Sequence, residues 1–280
     1  MKNFTMVVGI GALLFLSCNT PEKENQPQDT LAKKTPDTVA VSGDNIVRSE
    51  APDAANKMDQ GYGLSRHNNG TAQSPINILS GDAENESKNK VSSIKFQADI
   101  VGAENLGHTI QLDFKDGSTC VIDGKTYSTK QFHFHTPSEH LIDGMTFPME
   151  MHIVNILKDS NEKTTPSYLV VGVFFKMGKE NKFIKEFLGH VPGEEHQKDS
   201  IASGTVNFQD LTSEILGHAK NPYFTYHGSL TTPPFTERVD WILLKQVLEA
   251  SPDQILAIEK MEGNNARHIQ ALYDRKVISR

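Results

Sequence analysis

The segment QFHFHTPSEH, residues 131–140, contains His133, His135, Glu139 and His140 in a chain of 11 histidines. Successive side chains of an extended strand point to opposite faces, so Gln131, His133 and His135 share one side and Phe132 and Phe134 the other. One face is then polar with metal-binding chemistry, and the other is apolar and belongs in a core. Two imidazoles on one face, two strand positions apart, can reach a single metal ion. The stretch MEMHIVN repeats the arrangement, with Glu150, His152 and Val154 on one side and Met149, Met151 and Ile153 on the other. If the two strands are neighbours, His152 supplies a third nitrogen. A ligating imidazole also needs an acceptor for its remaining N–H, and Gln131 and Glu150 lie on the faces where such acceptors are required.

Around these stretches, runs rich in Val, Ile, Phe and Thr alternate with Gly, Asn, Asp and Pro: HTIQLDF, TCVIDG, KQFHFHT, MEMHIVNIL, YLVVGVFFKMG, FTYHGSL and RVDWILLKQ. This pattern predicts a β-rich domain. YLVVGVFF is apolar on both faces, so the middle of its sheet has to be covered on both sides. Helices are predicted at 181–191 and 251–262, the second opened by Ser251 as N-cap and Pro252 in the first turn.

An apolar content of 37% over 280 residues can build a sizeable core, and a formal charge of −7 excludes the basic footprint of a nucleic-acid binder. The N-terminus differs from the rest. Lys2 followed by the apolar run Met6–Ser17 has the form of a signal peptide over 1–17, and Leu16-Ser17-Cys18 resembles a bacterial lipobox, which would make Cys18 the site of a membrane lipid anchor. Residues 18–57, rich in Pro, Glu, Lys, Asp, Thr and Ser, cannot bury enough apolar surface to offset their conformational entropy and are read as a disordered tether. The chain is therefore expected to be exported, as a membrane-tethered periplasmic or cell-surface lipoprotein, with one folded domain over 58–280. Of its 2 cysteines, Cys120 is left as a lone thiol on a strand, without a disulfide partner in the mature chain.

Seven motifs occur in an order and at separations that resemble the alpha-class carbonic anhydrases. They are QSPINI (73–78), NLGHTIQLDF (105–114), QFHFHTPSEH (131–140), EMHIVN (150–155), VVGVFFKMG (170–178), YHGSLTTPPFTERVDWILL (226–244) and NNARHIQALYDR (264–275). The resemblance implies a mixed, β-dominated fold: a single domain on a large central twisted, mainly antiparallel β-sheet, with short helices on the periphery. It implies one Zn2+ per chain held by His133, His135 and His152, where three nitrogen donors alone would admit several divalent ions. It further implies that Gln131 orients His133, Glu150 orients His152, and a backbone carbonyl near Asn265 holds His135. Glu139 would accept the hydroxyl proton of Thr231, Val154, Val170, Leu230 and Trp241 would form an apolar wall for carbon dioxide, and Thr232 would contact bicarbonate. His108 would shuttle the released proton. The implied activity is reversible hydration of carbon dioxide by a zinc-bound hydroxide, with activated-ester hydrolysis as a side activity and a homodimer as one assembly the reading allows.

Two other readings stand beside this one. A non-catalytic domain of the same fold would be marked by loss of a zinc histidine, and all three are present. A cupin would use His133, His135 and Glu139 at its H-x-H and Glu spacing, but its flanking glycines and second motif are missing. The chain also departs from the family: GYGLSRHNNGTAQSPI is abbreviated, Gln60 stands where tryptophan is usual, the alignment of Tyr62 is open, and Phe235 follows TTPP without a disulfide partner.

Overall fold

The computed structural model describes residues 70–86, 93–158, 167–217 and 222–280; the expected signal peptide, Cys18, the tether, Gln60 and Tyr62 lie outside the described residues. In chain order the strands are β1 (Asn77–Ile78), β2 (Glu84–Asn85), β3 (Ile94–Gln97), β4 (Ile100–Asn105), β5 (Ile110–Phe114), β6 (Thr119–Ile122) and β7 (Lys125–His135). They continue as β8 (Leu141–Ile142), β9 (Met149–Leu157), β10 (Tyr168–Met177), β11 (Gln197–Ser200), β12 (Tyr223–Gly228), β13 (Val239–Ala250) and β14 (Ile278–Ser279). Three helices, α1 (Lys182–Leu188), α2 (Phe208–Leu216) and α3 (Pro252–Glu262), complete the described elements.

All seven runs predicted as strands are strands. Twelve strands form one sheet, ordered β11-β4-β5-β7-β9-β10-β13-β12-β14-β2, with β6 pairing β7 and β3 pairing β6, while β1 and β8 pair separately. Most neighbours are antiparallel, as expected; β10 runs parallel to β13, and β14 parallel to β2.

The sheet is covered on both faces. On one side Phe132, Phe134, Met151, Ile153, Val171 and Val173 pack with Phe183 and Phe187 of α1, Phe208 and Leu211 of α2, and Ile255 and Ile258 of α3. Phe132 lies at the middle of this aromatic group, its ring 5.5–6.1 Å from those of Phe114, Phe134, Phe183, Phe187 and Phe208. On the other side Val154, Val170, Phe174, Trp241, Leu243 and Tyr226 pack with Ile76 and Ile78. Alternate residues of β10 thus enter opposite cores, which is why YLVVGVFF carries no polar face.

A bulge in β7 sets the phase of the site. Thr129 pairs with Asn155 and Gln131 with Val154, so Lys130 is the extra residue. Odd-numbered Tyr127 and even-numbered Phe132 therefore reach the same core. Without the bulge, one of these two segments would turn its apolar residues away from that core.

The helices match in part. Ser251 caps α3, accepting from the Gln254 N–H while the Gln254 side chain returns the bond to the Ser251 N–H, with Pro252 in the first turn. The helix expected over 181–191 ends at Leu188, and Gly189 takes the C-cap. Helix α2 was not expected, although its buried Phe208, Leu211, Thr212 and Ile215 follow helical spacing behind an Asn207 cap. Strand β11 is exposed at every position, so it carries no periodic signal and forms only by pairing with β4.

Candidate metal centre

Strands β7 and β9 pair so that His133 lies opposite His152 and His135 opposite Glu150. Ligand-capable nitrogens of His133, His135 and His152 all fall within 4.8 Å of one another. His135 and His152 are buried, and His133 is half-buried at the edge of the cluster.

Neighbouring groups settle which nitrogens are free. His133 Nδ1 bonds Gln131 Oε1 at 2.9 Å, and His152 Nε2 bonds Glu150 Oε1 at 2.8 Å. Because these oxygens only accept, both partnered nitrogens carry the proton, leaving lone pairs on His133 Nε2 and His152 Nδ1. Both nitrogens of His135 are buried without a hydrogen bond. The Asn265 main chain lies close enough to His135 to favour its protonated form, on the side where the sequence reading expected a backbone acceptor. Burying an imidazole without a well-formed hydrogen bond is costly, and a metal ion at this cluster would offset that cost. Burial, followed by repulsion among the rings, pushes His133 down to about 3 and His135 well below its ordinary value, and burial also lowers His152. Three neutral imidazoles suit a zinc ion that keeps a further position for reactants.

Glu150 has a second tie that sequence reading missed. Its Oε1 also meets His140 Nδ1 at 2.8 Å, and its Oε2 accepts from the His140 main-chain N–H at 2.8 Å. His140 Nε2 then meets the Tyr226 hydroxyl at 2.7 Å, which lies 2.7 Å from Ser74 Oγ. Burial alone would raise the Glu150 carboxyl, but His140 and His152 on either side hold it below the ordinary carboxylate range. A side chain at Gly172 would overlap Leu243 and come within 3.2 Å of Glu150 Oε1, so the glycine inside this apolar strand makes room for the carboxylate.

Glu139 faces the imidazoles from below the same strand end. Its Oε1 accepts from the Arg267 main-chain N–H at 3.0 Å, and its Oε2 lies 3.5 Å from His135 Nε2 and 3.8 Å from His152 Nδ1. Burial pushes Glu139 up to about 8, against the Arg267 N–H and the nearby Thr231 hydroxyl. Thr231 is buried, in a loop closed by Leu230 N–H donating to Thr236 O and Phe235 N–H to Thr232 O.

Val154, Val170 and Trp241 are buried together, with Leu230 packed against them; the Trp241 ring is 4.8 Å from that of His152, and its Nε1 donates to Ser229 O. Thr232 is partly exposed. His108 is outside the three clustered imidazoles but near enough to His133 to disfavour its charged form; it is half-buried on the turn between β4 and β5, with Nδ1 3.1 Å from Leu106 O. The Asn265 side chain does more than was expected: its Oδ1 accepts from Thr136 N, and its Nδ2 donates to His108 O at 2.8 Å and Phe134 O at 3.1 Å.

Residues 61–280 match the family model for eukaryotic-type carbonic anhydrase. The carbonic anhydrase of Neisseria gonorrhoeae is 35% identical over 215 residues, covering 75% of this chain and 77% of that protein. Human mitochondrial carbonic anhydrase 5A is 34% identical over 237 residues, covering 74% and 76%. Among solved structures, the alpha-carbonic anhydrase of Thermovibrio ammonificans in complex with the inhibitor sulfanilamide superposes with a TM-score of 0.65 at 37% identity, covering 75% of this chain and 87% of that one. The cupin alternative falls with these matches. With the fold, the histidine cluster and the relatives in agreement, the chain belongs to the alpha-class carbonic anhydrases, zinc enzymes that interconvert carbon dioxide and bicarbonate.

Proposed function

We propose that His133, His135 and His152 hold the zinc ion, and that the groups around them divide the remaining work of carbon dioxide hydration. The observation that carries this assignment is the clustering of ligand-capable nitrogens of His133, His135 and His152 within 4.8 Å of one another, with two of the imidazoles already oriented by Gln131 and Glu150. Zinc bound there supplies a Lewis acid that makes water nucleophilic near neutral pH, as it does in carbonic anhydrases generally.

Glu139 has one oxygen engaged by the Arg267 N–H and the other available to the Thr231 hydroxyl, and a dication held by the imidazoles beside it would favour its ionised, accepting form against the burial that raises it. A Thr231 that donates to Glu139 offers only lone pairs to the reacting water, which must then donate to it and present its own lone pair to the substrate. Carbon dioxide has no net dipole, so Val154, Val170, Leu230 and Trp241 suit it as an apolar wall, with Thr232 at the polar side for bicarbonate. His108, half-buried and held through Nδ1, passes the released proton to buffer through its other nitrogen. Activated esters, attacked by the same water, are the side substrates. The test is carbon dioxide hydration by the purified protein, followed through chelation and return of zinc. Activity that rises and falls with zinc content supports the assignment, whereas activity that survives complete removal overturns it.

We also infer export and lipid anchoring through Cys18, placing the enzyme in the periplasm or at the cell surface. The support is the charged Lys2, the apolar Met6–Ser17 run, the Leu16-Ser17-Cys18 sequence and the polar stretch that follows. Membrane fractionation of the full chain beside Cys18→Ala tests this, with release of the variant into the soluble fraction as the expected outcome.

A further inference from the structure

A fully buried carboxyl lies behind the metal centre with no part in the chemistry above. Glu262, the last residue of α3, is 0% exposed. Its Oε1 is 3.0 Å from Thr136 Oγ1, and its Oε2 is 3.4 Å from both Thr109 Oγ1 and the Ile110 N–H. These contacts are hydroxyls and an amide, and no cation is among them. An isolated buried charge is costly, and burial holds this carboxyl well above the ordinary range.

The proton positions follow from the distances. Thr109 has one hydroxyl proton and its shortest contact is Phe134 O, at 2.9 Å. With that proton committed, Thr109 Oγ1 can meet Glu262 Oε2 only through a lone pair, an arrangement that requires a protonated carboxyl and is long at 3.4 Å. The resulting chain runs from Glu262 through Thr109 to the carbonyl between His133 and His135. On the other side Thr136, next to His135, has Glu262 Oε1 at 3.0 Å and Gly263 O at 3.1 Å. Three segments are joined: the end of α3, the turn bearing His108, and the end of β7.

We propose that Glu262 is a positioning residue for proton export, tying the His108 turn to the strand end that carries His135 so that His108 stands at a fixed place relative to the metal centre. This rests on the assignment of His108 to proton export. When Glu262 is removed both hydroxyls keep another acceptor, Phe134 O for Thr109 and Gly263 O for Thr136, and the Ile110 N–H loses a long contact at 3.4 Å. What is lost is the link between segments. Asn265, donating to His108 O and Phe134 O, is the second strut of the same brace.

The experiment compares Glu262→Leu, Glu262→Gln, His108→Ala and the His108→Ala/Glu262→Leu double variant. It reads kcat at low buffer, kcat/KM, rescue by imidazole, and amide exchange over residues 108–111 and 134–136. Glu262→Leu is expected to lower kcat roughly tenfold, well short of the hundredfold that an ångström of misplacement can cost. Its kcat/KM should stay near wild type, imidazole should restore its kcat, and exchange over 108–111 should quicken. Glu262→Gln, which can still donate to Thr109 and accept from Thr136, should recover most of the lost turnover. The double variant should be no slower than His108→Ala alone. If Glu262→Leu keeps wild-type kcat and exchange while His108→Ala is slow, the positioning role is overturned and the shuttle stands. If His108→Ala itself turns over normally, the shuttle assignment falls and the positioning role with it. Should Glu262→Leu fail to fold, Thr109→Val cuts the same link from the turn side and is held to the same outcomes.

Discussion

His133 and His152 are direct cross-strand partners on β7 and β9, with ring centroids 5.4 Å apart and ring planes at 90°. These two candidate ligands sit on paired central strands anchored behind by the Phe132–Met151–Ile153 core. Sites built on strands are held more tightly than sites built on loops.

Loss of a ligand and loss of its support should separate by magnitude. Gln131→Ala removes the acceptor of His133 Nδ1 and is expected to weaken zinc binding roughly 10- to 100-fold. His135→Ala should exceed that range and leave the protein essentially zinc-free after dialysis. Metal analysis of the purified variants measures both, and full zinc occupancy in His135→Ala would refute the ligand set.

Thr231→Ala should lower kcat on the order of a hundredfold, the scale of losing one preorganised polar contact. Zinc content should stay normal, because Thr231 does not belong to the imidazole cluster. Stopped-flow hydration kinetics at matched zinc loading make the comparison.

His140→Ala removes the ring partner of Glu150 Oε1 and of the Tyr226 hydroxyl, while Glu150 Oε2 keeps the residue-140 main-chain N–H. Breaking one side of a buried pair costs about 3–5 kcal/mol, so the denaturant midpoint of the variant should drop accordingly. Zinc affinity should fall as well, since Glu150 also orients His152. A midpoint equal to wild type would show that the Glu150 network contributes nothing to folding.

Cys120 is fully buried, and burial pushes its thiol up to about 12. Below about pH 8.5 the thiol is neutral in both folded and unfolded chains, so its contribution to stability is complete. Between that pH and 12 the unfolded chain loses the proton first, and stability declines by up to about 1.4 kcal/mol per pH unit. Urea unfolding at pH 8 and pH 10 should therefore show a smaller loss in Cys120→Ala than in wild type. A thiol reagent should label Cys120 only as the domain unfolds.

Alternation along QFHFHTPSEH and MEMHIVN was enough, from sequence, to sort the imidazoles from the core residues and to place Gln131 and Glu150 beside them, because side-chain facing in a strand is a local property. The Ser251–Pro252 start of α3 was legible for the same reason. Which strands become neighbours, and in what register, depends on hydrogen bonds and packing between distant segments. Only the folded chain could therefore put His152 opposite His133, insert Lys130 as a bulge that keeps Tyr127 and Phe132 in one core, or run β10 parallel to β13. The same holds for His140, unremarkable in sequence until Tyr226, 86 positions away, closes on its ring, and for Glu262, whose carboxyl meets Thr109 across 153 residues. Sequence determined which side chains could serve a metal site and which face each occupied. Tertiary structure decided which of them meet, since buried polar groups have to find partners wherever the fold brings them.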